Sequence, residues 1–586
     1  MFWEKILKRI ELHKEVKSIR QEVREEIGNI APGSKDELRL KYAEMYNSLP
    51  VNDRVILYES YAGRGLVCNP YGIFKRFTKR NDFEQYTHVW VLEDLDKQKD
   101  IVDRYSEYKN VVFVQRDTVE YCKYLVQAKF LITNLSFPNY YTKKEGQIYI
   151  NTWHGIPLKT LGFDIPNGRI TGLNTIRNFL AVDVFLSPNR FMTDIFRNTF
   201  RLEGLFEGHI MESGTARNDN LFYGDREEVL EKLKAEGVKI DPSKKIIMYA
   251  PTWKGEKYSD PDTSTDMYFE LINKVEESVD TNEYQILVKP HQIVYKNIVD
   301  KGEVLTDKFI PATIDANEIL SIVDVLISDY SSIYFDYLAT EKSIIFYIPD
   351  LEEYKEQRGL YFGVDKLPGP IAQSLEELGS IMSDIPAATE SLKEKYLTEK
   401  KWACGNDDGS VSERVINKII VNKDFTDMES CDHTSKKKVL IYTGLLKNEK
   451  KKAAFDDFLN KFDFDKFDLT LIVPHKEDEE FFEWIRNVDK RARVLRRTGT
   501  YAADEREKEC IEIIKRHGKD DPDYQNFYSR YYPKEVYERE KVRIVGQTHF
   551  DYIIEYTKKS EFFKNVFKRF EGAKVLKVSD LNMFEK

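Results

Sequence analysis

His154 stands in YINTWHGIPLKTLGFD (149–164), behind an alternating apolar run, with Gly155 and Pro157 ending any strand and Lys159 five residues on. An imidazole titrates near neutrality and can take a proton from a hydroxyl at working pH. A buried histidine satisfied by the backbone is the plainer reading of the same residue. YQILVKPH (284–291) ends in Lys289, Pro290 and His291. Residues two apart share a face while a strand persists, although Pro290 argues against continuing it. A cation and an imidazole at a strand's C-terminal edge suit a phosphate oxygen or a leaving phosphate; a lysine on a solvated edge looks the same in sequence. SDYSSIYFDYL (328–338) places Ser328 and Asp329 at a strand end and Ser331 and Ser332 where they can cap a helix, with Asp336 one turn further in. The free N–H groups of such a helix form an anion site, or the helix is simply well capped. SGTARND (213–219) carries Arg217, a bidentate partner for phosphate. YAPTWK (249–254) exposes Thr252 and Trp253 in a turn.

All of these groups follow strand-like segments. Runs rich in Val, Ile and aromatics at 54–60, 88–93, 111–115, 129–134, 147–153 and 182–189 alternate with helix-sized spacers, and a second set lies at 244–253, 284–291, 323–332 and 343–349. Such alternation predicts parallel sheets covered on both faces. Two α/β units in tandem place a cleft between their strand C-termini, where open sheets bind ligands. Residues 422–437 read as a polar linker. A third α/β unit, 438–586, has strand-like runs at 438–444, 467–475, 492–497, 541–546, 550–556 and 573–580. It reads as a stand-alone appendage or as half of a longer module. Residues 1–30 read as a helix with Trp3, Leu7, Ile10, Val16, Ile19, Val23 and Ile27 at three-to-four spacing and a basic first half. It either lies on anionic lipid or docks on the protein or on a second copy.

Composition excludes several classes. The 586 residues carry 90 Lys+Arg against 100 Asp+Glu, a net charge of −10, which argues against a general nucleic-acid binder. Five scattered cysteines without a C-x-x-C fit reduced thiols in a cytosolic protein. No His/Cys/carboxylate cluster has metal spacing, and there is neither a P-loop nor a GxGxxG after the first strand. No apolar run reaches the ~18–20 residues that span a bilayer.

Taken in order, TWHGIPLKTLGFD, YAPTWK, KPH and SDYSSIYFDYL, with VILYESYAGRGLVCNPYGIF (55–74) before them, resemble the CDP-glycerol glycerophosphotransferase family, the polymerases and primases of teichoic acids and related capsules. The resemblance spans roughly 50–420. It implies a GT-B-like pair of Rossmann-type domains: an acceptor-side domain at 51–205 and a CDP-donor domain at 206–421, preceded by a helical segment at 1–50. It implies transfer of glycerol- or ribitol-phosphate from a CDP-polyol to a hydroxyl of a lipid-linked primer, oligosaccharide or growing polymer, with release of CMP and no cofactor. By resemblance His154 is the base, with His291 the second catalytic residue. Arg217, Thr252, Trp253, Lys289, Pro290, Ser331, Ser332 and Asp336 are expected to hold the donor; Gly155, Ser328 and Asp329 are expected to support them, and Lys159 either supports the turn or adds positive potential for an anionic donor or acceptor. SGTARND departs from the commoner G-x-P-R-N-D form at Thr215 and Ala216. The third unit resembles the start of a glycosyltransferase-like GT-B module lacking its second half, so an acceptor-positioning or assembly role is expected of it. The alternative activity is a nucleotide-sugar-dependent GT-B glycosyltransferase. The expected place is the cytoplasmic face of the membrane, held peripherally, with a homo-oligomer as a further expectation.

Overall fold

A computed structural model describes the chain except Met1 and residues 166–172, 253–264, 301–306, 351–358, 432–433, 447, 476–478, 518–531 and 558–559. The architecture is α/β with parallel sheets. The first sheet takes β1 (Asn52–Glu59), β2 (Thr87–Leu92), β3 (Val111–Gln115), β4 (Ala128–Thr133), β5 (Ile148–Asn151), β6 (Val184–Ser187) and β7 (His209–Glu212). The second takes β8 (Lys245–Ala250), β9 (Tyr284–Val288), β10 (Val325–Ser328), β11 (Ser343–Tyr347) and β12 (Ile371–Ala372). The chain then returns as β13 (Glu429–Ser430) to pair antiparallel with β7. The third sheet takes β14 (Lys437–Tyr442), β15 (Phe467–Pro474), β16 (Arg493–Arg497), β17 (Tyr552–Glu555) and β18 (Lys574–Leu576). Strands such as Val325–Ser328 and Ile148–Asn151 are buried at every residue, which is why they read as continuous apolar runs rather than alternating ones.

Strand order fixes where ligands can go. The first sheet runs β13-β7-β6-β5-β4-β1-β2-β3, the second β12-β11-β10-β8-β9 and the third β16-β15-β14-β17-β18. Each reverses direction beside its first strand, so the crevices lie between the loops after β1 and β4, after β8 and β10, and after β14 and β17.

Four expectations change. β7 pairs with β6, so the first sheet extends past the boundary expected at 206. The stretch expected as a plain linker contributes β13. The run 541–546, expected as a strand, is the end of the helix Lys534–Val545. There Val536, Tyr537, Glu540, Arg543 and Ile544 recur at three-to-four spacing and are buried, and Arg543 pairs with Glu540 within one turn. Finally, 438–586 is no appendage. Leu440, Ile472, Leu495, Tyr537 and Ile544 join Phe137, Tyr149, Phe179 and Leu180 in one continuous core.

The first helix spans Phe2–Gly28. Its second half docks on the third unit: Val16, Ile19 and Val23 bury against Ile513 of the helix Glu505–His517. Arg20 and Arg24 reach Glu509 and Glu505, and Arg516 and Lys508 reach back to Glu22 and Glu26. In the first half Leu7 and Ile10 are exposed, so the apolar stripe read from sequence is only partly used by this chain.

Candidate active site

The first crevice is built around His154. Asn134, the residue after β4, accepts a bond from the Tyr61 N–H through its side chain (2.9 Å) and from His154 Nδ1 through its carbonyl (3.0 Å). One asparagine thus ties the loop after β1 to the turn after β5. A carbonyl only accepts, so Nδ1 carries the proton and Nε2 keeps its lone pair. The ring stacks on Trp153 at 4.2 Å and lies 6.0 Å from the Tyr61 ring. Burial pushes the imidazole down to about 4, the Asn134 bond opposes this, and the Arg217 charge adds to it. His154 is therefore neutral at working pH. The turn needs an unusual backbone: Trp153 has φ +50° and Gly155 φ +124°, and a Cβ on Gly155 would stand 2.7 Å from Arg217 Nη2. After it the chain leaves the first sheet. Ile156 and Leu158 enter the core of the second unit, and Leu158–Leu161 is laced to Gly359–Tyr361 by backbone and Tyr361 hydroxyl bonds.

Arg217 and Asp336, expected to hold the donor, hold each other in this structure. Arg217 Nη2 is 2.7 Å from Asp336 Oδ2, while Nη1 donates to the His154 carbonyl and to Cys68 Sγ, both at 3.0 Å. Both side chains are buried, which removes the guanidinium from the cleft surface. The Cys68 N–H also reaches Asp315 Oδ2 (2.6 Å), and Asn317 reaches Asn218 (2.7 Å). Lys75 and Lys232 pair with the buried Glu318 at 2.5 and 3.0 Å. The contacts of Cys68, Asn218 and Lys75 join the first unit to the second.

The second crevice is clamped by Asp329, whose carboxylate takes the Thr252 N–H (2.9 Å), the Thr252 hydroxyl (2.7 Å) and the Ser331 N–H (3.1 Å). Ser328 is fully buried and bonds the Ala250 carbonyl, tying β10 to β8. Ser332 occupies the cap position of the helix Ile333–Tyr337 but makes no side-chain cap bond, and that helix has only five residues. Lys289 departs from expectation. It lies past the end of β9 with its ammonium buried on the Ile314 carbonyl (3.2 Å) and the Pro311 carbonyl, and burial lowers it to about 7. It therefore holds the loop that carries Asp315. Pro290 is buried beside it, and Trp253 lies outside the described residues.

His291 opens the helix Gln292–Asp300 and is half-buried. Burial, then the charges of Lys159 and Arg64, push it down to about 4. Lys159 comes from the loop after His154 and Arg64 from the loop after β1, and theirs are the charges felt by His291. Sequence reasoning missed Arg64, Tyr61 and Asn134. AGRG lies in the first βα loop and Asn134 ends KFLITN, the two positions that flank the reversal of strand order once the fold is known.

A profile of the family described as CDP-Glycerol:Poly(glycerophosphate) glycerophosphotransferase matches residues 41–421. The chain belongs to that family. The teichoic acid poly(glycerol phosphate) polymerase of Bacillus spizizenii is 34% identical over 341 residues, 56% of this chain and 83% of that protein. The teichoic acid glycerol-phosphate transferase of Staphylococcus aureus is 29% identical over 389 residues, 64% and 95% of the two chains. A solved structure of the wall teichoic acid polymerase TagF is 26% identical, covers 66% of this chain and 94% of that one, and superposes with a TM-score of 0.53. The chain is accordingly an enzyme of the CDP-polyol phosphotransferase type, moving a polyol phosphate from a CDP-activated donor.

Proposed function

We propose that His154 is the general base that activates an acceptor hydroxyl, and that the cleft between the first two sheets, a GT-B-like pair, holds the CDP-polyol. The observation that carries the reading is the position of the ring. It sits at the reversal of the first sheet with Nε2 unprotonated, and its own carbonyl is tied through Arg217 to the second unit. The acceptor oxygen attacks the phosphorus that bears the polyol, its proton passes to Nε2, and the bond to the bridging oxygen breaks to release CMP. Transition-state charge on the phosphoryl oxygens needs cations already in place. Arg64 and Lys159 supply them, and neutral His291 donates a hydrogen bond to the leaving phosphate. Thr252 and Ser331, both held by Asp329, face the donor as polar groups, with Ser332 beside them. Arg217, Asp336 and Lys289 act on the frame around it.

The acceptor is a hydroxyl of a cell-surface polymer or of its lipid-linked primer. Among the described residues no helix is long and apolar enough to cross a membrane. Exposed Leu7 and Ile10 on the basic first half of the first helix give it an attachment to an anionic inner leaflet, with a second copy as the other occupant. The test is CMP release with CDP-glycerol and CDP-ribitol, run beside UDP-sugars. Release of CMP with incorporation of the polyol supports the reading; UDP release alone overturns it.

A further inference from the structure

We infer that residues 438–586, outside the family match, brace the acceptor-side wall of the transferase site and hold the His154 ring in place through Arg177, Phe179 and Trp153. This rests on His154 being the base.

The third sheet has the strand order of a ligand-binding unit. Gly444 after β14 sits at φ +61°, and a Cβ there would collide with Thr557 after β17. The cavity beside it, against Leu446, Phe481 and Trp484, is about 30 Å³. What the unit offers the rest of the chain is contact. Arg543, buried in the helix Lys534–Val545, binds Glu540 through both carboxylate oxygens and donates to the carbonyls of Thr498 (2.6 Å) and Asn139 (3.2 Å). Asn139 belongs to the loop that begins at Asn134, the residue bonded to His154. The Arg543 carbonyl in turn accepts from buried Arg177 at 3.0 Å. Gly546 (φ +61°) packs so tightly on the Leu180 carbonyl that a side chain would collide.

Arg177 and Leu180 bracket the end of the helix Leu173–Phe179. From it Phe179 sets its ring edge-on to Trp153 (5.9 Å, 80°), and Trp153 stacks on His154. Trp153 holds a left-handed backbone, which persists only where packing over-determines it. Burial, and the like charge of Arg543, lower Arg177 to about 9, so this guanidinium is retained at an electrostatic cost.

The test uses the full chain with Arg177→Met, Arg177→Lys and Phe179→Leu. Phe179→Leu keeps the core filled while removing the ring that touches Trp153. Readouts are kcat for CMP release at saturating CDP-glycerol and acceptor, its pH profile, the Kd for CDP-glycerol and the unfolding midpoint. The expected result is a kcat lower by about 10- to 100-fold, the scale of a small misplacement of a reacting group. Donor Kd changes little, and Arg177→Lys recovers part of the rate. Lower midpoints with unchanged kcat and pH profile in Arg177→Met and Phe179→Leu overturn the brace while leaving the base assignment intact. Normal turnover of His154→Gln would instead remove the reading on which the brace rests.

Discussion

Arg217 and Asp336 meet at 2.7 Å across the gap between the first two units, each side chain less than one-tenth exposed. The same guanidinium holds the carbonyl of His154, so the ion pair that joins the units also sets the turn that carries the base.

Asp336→Ala leaves a buried guanidinium uncompensated. Loss of one member of such a pair costs about 3–5 kcal/mol, whereas an apolar replacement of both members is often tolerated. Urea unfolding should show a large fall in midpoint for Asp336→Ala and a much smaller one for Arg217→Met combined with Asp336→Leu. Equal losses for the two would contradict the pairing.

His88, His154 and His291 are each lowered to about 4, first by burial, from an ordinary 6.5. Between those values the unfolded chain binds protons that the folded chain refuses. Stability is therefore full above about 6.5 and is lost as pH falls toward 4, with a slope near 1.4 kcal/mol per pH unit for each such group. His88 is fully buried between the Tyr58 hydroxyl and the Phe83 carbonyl. In His88→Gln the dependence of ΔG on pH between 4.5 and 6.5 should shallow by roughly one proton. An unchanged slope means His88 titrates normally.

Gly155→Ala forces a side chain onto a backbone at φ +124° and against Arg217 Nη2. Strain of about 1–3 kcal/mol is expected in the turn, and turnover should fall while the donor still binds. Turnover matching the parent would show that the turn has room.

Arg64→Ala and Lys159→Ala should each raise the Kd for CDP-glycerol by about tenfold, with a shallower salt dependence of binding than the parent. Lys289→Met should lower the unfolding midpoint and change donor affinity less than either. Calorimetric titration at two salt concentrations separates the three. The opposite order would return Lys289 to the donor.

Much of this arrangement was legible in the sequence. The approximate place of most strands followed from Val/Ile-rich runs, because strands buried on both faces, such as Val325–Ser328, leave that signature. The run 541–546 defeated the same rule, since three apolar residues inside a helix look like a buried strand until Glu540 and Arg543 are seen to pair along one face. His154 stood out because Gly155 and Pro157 end its strand. Its Asn134 anchor lies twenty residues away and bonds through a backbone carbonyl, which any residue type supplies. Arg217 and Lys289 were visible as cations near strand ends, but sequence does not show whether a long side chain reaches outward or folds back. Arg217 turns to a carboxylate 119 residues away and Lys289 to carbonyls just beyond it in the fold.

The most direct measurement is single-turnover CMP release by His154→Gln beside calorimetric binding of CDP-glycerol to the same protein. If the imidazole takes the acceptor proton, release falls by about 10²–10⁴-fold while the donor Kd stays near that of the parent. Release within a few-fold of the parent would contradict the assignment.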